Sequence, residues 1–218
     1  MKTRVTIWDW PLRFFHWLLV ASLLSAYLSG SEGGLWLDWH AVSGFFVLSL
    51  MCFRFCWGFL GSYHSRFLSF YPSVARLQTY VTSDHQYDGH SPLAALSIFT
   101  MLSVIFIQSV SGLFMTDEDI EFYGPLAGLI EPVYHPVISV WHETGVDLIL
   151  FLIMMHLLAV AYYHFFKNRD IIVPMLTGKK VVPENMNSEA VGKFKFKGLM
   201  ISIFIAVITF WILNSCQI

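Results

Sequence analysis

The stretch VWHETGVDLILFLIMMHLLAVAYYHFF, from Val140 to Phe166, decides the fold class. A helix crossing the hydrocarbon core of a bilayer needs about 20 apolar residues, and this run supplies them. Within it His142 and His156 stand 14 residues apart. At 1.5 Å per residue that is about 21 Å along the axis, most of the membrane's thickness. The same spacing brings the chain back to within about 40° of one face. One helix therefore offers an imidazole near each side of the bilayer, both pointing the same way.

Working outward, four further runs are long enough to span: Leu12–Gly30, Trp39–Leu60, Leu93–Met115 and Gly198–Cys216. Each must be helical, because lipid offers no partner to a bare amide. Composition agrees. The 218 residues are 56% hydrophobic and 13% charged, where a soluble domain is about 25% charged. The fold class expected is an all-α integral membrane protein with no room for a second large domain. Formal net charge is −2 and there is no basic tract, which argues against nucleic acid. Cys52, Cys56 and Cys216 do not form a disulfide framework, and no Cys-x-x-Cys-His occurs. Any haem is then held by axial ligands and packing. The N-terminus has the outline of a signal peptide, with Lys2, Arg4 and Arg13 before Phe14–Leu28. Trp8, Trp10, His16 and Trp17 are foreign to such a segment, so a retained first span is expected.

Charge placement sets the topology. All 13 Lys and Arg fall in three places: the N-terminus (Lys2, Arg4, Arg13), the second connection (Arg54, Arg66, Arg76), and the fourth, from Lys167 to Lys197. Residues 31–38 and 116–139 carry only carboxylates, among them Glu32, Asp38, Asp117 and Glu131. The positive-inside rule puts the N-terminus in the cytoplasm and the C-terminus outside.

Depth follows from topology. His16 enters from inside and His40 from outside, while His142 is outer and His156 inner. His40 pairs with His142 and His16 with His156, and no other pairing of the four brings two imidazoles to one level. Two neutral imidazoles fill both axial positions of a haem iron, leaving a centre that exchanges electrons without binding substrate. Two such centres stacked across the membrane make a wire. Gly44, Gly112 and Gly145 lie near the outer pair and suit the close approach of a flat macrocycle, or ordinary helix packing. Arg54 shares the face of His40 at the inner level, and Arg13 adjoins His16. Each is a candidate partner for a haem propionate, or else snorkels to the interface. His64, His85, His90, His135 and His164 read as surface histidines. Trp8, Trp10, Trp17, Trp36, Trp39 and Trp141 read as interfacial belts.

The stretch Val5-Thr6-Ile7-Trp8-Asp9-Trp10-Pro11-Leu12-Arg13-Phe14-Phe15-His16-Trp17 resembles the opening of the bacterial cytochrome b561 family. That family is similar to the b-type subunits of nickel–iron hydrogenase and formate dehydrogenase. Further matches are Trp39-His40 with Gly44, Arg54 with Gly58 and Gly61, and Gly89-His90-Ser91-Pro92. Trp141-His142-Glu143-Thr144-Gly145, His156 and Leu176-Thr177-Gly178-Lys179-Lys180 also fit. The resemblance covers about residues 4–182. It implies a four-helix bundle binding two b haems over residues 1–182, with residues 183–218 as linker and fifth transmembrane helix. It also implies a bacterial inner-membrane protein that passes electrons between ubiquinone or menaquinone and an outer-face redox protein, either a c-type cytochrome or a dehydrogenase subunit. By the same resemblance, quinone binds near the inner haem, with His90, Ser91 and Arg54 as candidates. Ser91 stands where the family pattern has Asn. Only part of the family has a fifth span.

Two other functions fit the sequence less well. A stand-alone superoxide:quinone oxidoreductase would want a positive funnel at the outer face, where this chain has no Lys or Arg. A histidine-relay transporter would want more intramembrane charge than Asp147.

Overall fold

The computed structural model describes residues 2–82, 89–117, 122–183 and 194–216. The chain runs β1 (Lys2–Thr6), α1 (Trp10–Glu32), α2 (Leu37–Leu60), α3 (Phe67–Phe70), α4 (Val74–Thr82) and α5 (Pro92–Ser111). It continues through β2 (Thr116–Asp117), β3 (Phe122–Tyr123), α6 (His135–Phe165), α7 (Ile172–Thr177), β4 (Lys179–Pro183) and α8 (Phe196–Ser215). Among the described residues, and with their flanking 3₁₀ turns, five helices are long and apolar enough to cross a membrane: Trp10–Glu32, Gly34–Leu60, Pro92–Phe114, Pro132–Phe165 and Phe196–Ser215. All five expected spans are therefore met. The second and fourth start earlier than the hydropathy suggested: α2 and α6 themselves begin at Leu37 and His135, and the 3₁₀ turns Gly34–Trp36 and Pro132–Tyr134 lead into them. Proline is at home in such a first turn, where its missing N–H has no partner to lose.

Backbone contacts divide the chain into two compact units. The first comprises Met1–His16, Arg54–Thr100 and Met154–Ser202, and the second Trp17–Phe53, Met101–Ile153 and Ile203–Ile218.

A buried polar knot organises the first unit. Asp9 caps α1 by accepting the Leu12 amide at 2.9 Å. The same carboxylate accepts the Trp57 indole N–H at 3.2 Å, the Ser65 hydroxyl at 2.7 Å and the Ser62 hydroxyl. Trp57 is fully buried, which is why its N–H needs this partner. The N-terminal strand β1 pairs antiparallel with β4, Val5 opposite Lys180 and Thr6 opposite Lys179. Gly178 turns the chain between α7 and β4 at φ +81°. Its N–H bonds the Pro174 carbonyl at 2.8 Å, and its own carbonyl accepts Ile7 N–H at 2.9 Å. A Cβ there would also lie 2.7 Å from the Trp8 carbonyl oxygen, so only glycine fits.

In the second unit Phe45, Leu48, Leu113 and Leu213 form a buried core, with Ala41, Phe106, Val110, Phe114, Leu126 and Phe210 packed on it. α8 thus shares a core with α2 and α5. The Ser25 and Ser43 hydroxyls, 2.8 Å apart, join α1 to α2. Elsewhere on the spanning helices large apolar side chains such as Phe151, Phe204 and Trp211 are exposed, as suits a surface facing acyl chains. Trp10, Trp17, Trp36, Trp39 and Trp141 are exposed too, in keeping with interfacial belts.

Candidate functional site

In the second unit His40, on the first turn of α2, and His142, on α6, face each other. Their ring centres are 6.0 Å apart and their planes 86°. His40 Nδ1 lies 2.8 Å from the Ala26 carbonyl oxygen. A carbonyl only accepts, so Nδ1 carries the proton and Nε2 keeps its lone pair. His142 Nδ1 lies 2.9 Å from the Ser111 hydroxyl, which donates its one proton to the Gln108 carbonyl at 2.8 Å. Ser111 must therefore accept from Nδ1–H, and His142 Nε2 is the free base as well. Such second hydrogen bonds orient an imidazole ligand and raise its basicity.

These residues fit a haem iron. Two Nε2–metal bonds of about 2 Å put the ring centres about 6 Å apart, close to the separation found. Among the described residues no group of three or more His, Cys, Asp or Glu gathers into a site for a bare ion. A pair of imidazoles suits a metal that brings its other ligands with it.

The glycines play distinct parts. A Cβ on Gly44 would meet nothing within 4 Å, leaving that face of α2 open to a macrocycle. A Cβ on Gly112 would come 2.9 Å from the His142 ring, and one on Gly30 2.7 Å from His40 Nδ1. Both keep room for the imidazoles. Gly145 differs: its missing side chain makes space for Gln108, whose Oε1 is 2.1 Å from the Cβ position and whose Nε2 donates to the His142 carbonyl at 2.6 Å. Ser111, Ala26, Gly30 and Gln108 were not singled out in the sequence. Only Gly30, a small residue at the end of a span, left any trace there.

In the first unit His16 on α1 and His156 on α6 are half-buried. Arg13 donates to the Leu176 carbonyl. Arg54 does not snorkel. It is 2% exposed, donates to the Ser65 carbonyl at 3.1 Å and lies 4.4 Å above the Phe67 ring. Ser91 caps α5, its hydroxyl accepting the Ala94 amide at 3.2 Å.

The reading of the remaining histidines as surface residues does not hold for those described. His90 lies between Trp8 and Phe70, each ring centre 4.4 Å away. Burial first, then the positive charges of Arg54 and His64, push its pKa down to about 3. His64 packs edge-on against Trp8, and a Cβ on Gly89 would come 3.0 Å from His64 Nδ1. His135 begins α6 and bonds the Thr116 hydroxyl through Nδ1 at 2.9 Å. His164 is half-buried beside Phe165. For His64 and His90 the covering ring comes from Trp8, far away in the chain, which local sequence could not announce. His85 lies outside the described residues.

A multi-pass helical membrane protein whose facing imidazoles fit a haem iron belongs to the class of membrane cytochromes. The family described as prokaryotic cytochrome b561 matches residues 7–178, and the chain is a member of it. Its cofactor class is accordingly haem b and its activity membrane electron transfer. The probable Ni/Fe-hydrogenase B-type cytochrome subunit of Bradyrhizobium diazoefficiens is 23% identical, over 82% of this chain and 87% of the relative. Its counterpart in Rhizobium leguminosarum bv. viciae is 22% identical over 83% and 90%, and that of Azotobacter chroococcum mcd 1 is 22% identical over 84% and 91%. No solved structure matches the chain.

Proposed function

We propose that this chain is a dihaem b-type cytochrome subunit that carries electrons across the bacterial inner membrane, between the quinone pool and a redox protein at the outer face. The observation that carries the reading is the His40–His142 pair, 6.0 Å between ring centres with both Nδ1 atoms bonded away. His16 and His156 form the second pair by the same logic of depth. Haem held by His40 with His142 and by His16 with His156 would supply one-electron chemistry. The protein's part is to fix two imidazoles per centre as neutral bases and to keep the centres in a dry helical interior.

Orientation rests on charge. The first unit holds all 13 basic residues and the second holds none. The positive-inside rule makes the first unit cytoplasmic, with the N-terminus inside and the C-terminus in the periplasm. The second unit, with nine carboxylates and no Lys or Arg, then steers a partner with a basic docking face. Relatives named as hydrogenase B-type subunits favour a dehydrogenase-type partner over a c-type cytochrome. On the cytoplasmic side, neutral His90 between two aromatic rings and near the Arg54 charge is the candidate quinone contact.

Haem content per polypeptide by pyridine haemochrome, with a redox titration of detergent-purified protein, tests this. Two low-spin b haems with separate potentials are expected. One haem would overturn the two-centre arrangement, and none, in protein made with ample haem, would overturn the whole reading.

A further inference from the structure

We propose that His135 holds a propionate of the haem bound by His40 and His142, an inference that rests on the reading above. Its Nε2 is buried without a hydrogen-bond partner among the described residues, while Nδ1 is 2.9 Å from the Thr116 hydroxyl. A buried ring nitrogen with nothing to bond destabilises the fold, so its persistence calls for a partner from outside the chain. His135 stands seven residues before His142 on the same helix. Seven residues are close to two full turns, so the two imidazoles share a face about 10 Å apart along the axis. A propionate reaches out from the macrocycle edge over that kind of distance.

The two histidines are also fixed from one segment. Ser111, at the end of α5, bonds His142, and Thr116, five residues on, bonds His135. The bonds differ in sense. Ser111 spends its proton on the Gln108 carbonyl and accepts from His142, leaving a bare Nε2 for metal. Thr116 is free to donate to His135 Nδ1, which leaves the ring proton on Nε2, as a carboxylate requires. One ring is thus prepared as a ligand and the other as a donor.

The test uses full-length wild type, His135→Ala, His135→Gln and Thr116→Val, with haem content measured first. A redox titration and the resonance Raman propionate-bending band follow. The second-unit haem is identified as the wave missing from His142→Ala. His135→Ala should keep two haems, shift the propionate band, and lower that one potential by a tenfold change in redox equilibrium, about 59 mV for one electron, because a less neutralised carboxylate favours ferric iron. His135→Gln, which restores an N–H, should recover most of the shift. An unmoved potential and band in His135→Ala with both haems retained overturns the contact and leaves the dihaem reading standing. A wild type without the second-unit haem overturns both. Where both histidine variants lose that haem, Thr116→Val decides: a smaller fall in the same potential supports the contact, and an unmoved potential overturns it.

Discussion

Each unit holds two of the four histidines proposed as haem ligands, yet the units are built of opposite materials. The first carries every Lys and Arg in the chain together with six carboxylates, while the second carries nine carboxylates and no base. A division made by backbone contacts coincides with one made by charge. The first unit is tied by a buried polar knot at Asp9 and a strand pair with basic residues. The second is tied by an apolar core, and among the described residues the side-chain hydrogen bonds between its distant segments go mostly to His40, His135 and His142. Where a membrane protein meets the positive side it can use charge as a structural element. Where bases are excluded, packing and hydroxyl bonds do the work.

The sharpest way to break the comparison is to remove one ligand from each unit. His142→Ala and His156→Ala should each reduce haem content from two per polypeptide to one, and the lost spectral and redox components should differ. If either substitution costs both haems, the units are not independent sites. If His156→Ala leaves both signals intact, the pairing by depth is wrong.

Next in size is Asp9→Ala, which attacks the first unit alone. It removes the α1 cap and leaves the buried Trp57 indole and Ser65 hydroxyl without their acceptor. A loss of about 2–4 kcal/mol is expected from the cap and the stranded donors together. Thermal unfolding in detergent measures it, and the potential of the second-unit haem should not move. A shift there would show that the knot supports both units.

Ser111→Ala is the matching blow to the second unit. It leaves His142 with no hydroxyl to hold Nδ1, and loss of such a bond costs about 10–100-fold in metal affinity. Transfer of haem to an apo-acceptor should speed up for that centre only. His40 offers no equivalent target, because its anchor is the Ala26 carbonyl, a backbone atom. Gly30→Ala reaches it by another route, placing a Cβ 2.7 Å from His40 Nδ1.

The sequence made some of this legible and hid the rest, for physical reasons. Span number, and the ends of three of the five spans to within two residues, could be read because apolar runs of 20 residues have few alternatives in lipid. The facing of His40 and His142 could be read because depth along a helix is linear in residue number. What stays silent in sequence is who fills the space around a residue. Gly145 looked like room for a macrocycle and is room for Gln108. His90 looked like a loop histidine and is covered by Trp8, 82 residues away in the chain. Leu176 to Lys180 matched a family pattern without explaining it, until Gly178 is seen bonding the chain entering α1.

A last prediction separates the units by pH. His90 in the first unit has its pKa lowered to about 3 by burial and by the charges of Arg54 and His64. An unfolded histidine titrates near 6.5. Between these values the unfolded chain holds a proton that the folded chain does not, so stability increases with pH through that window. The contribution is complete above about pH 6.5 and is lost as pH falls toward 3, at no more than about 1.4 kcal/mol per pH unit. His90→Phe keeps an aromatic ring between Trp8 and Phe70 and removes the proton. Denaturation midpoints followed from pH 7 to pH 4 should fall less steeply for His90→Phe than for the wild type. Equal slopes would mean that the unfolding measured at these pH values begins in the second unit, whose carboxylates then set the acid limit.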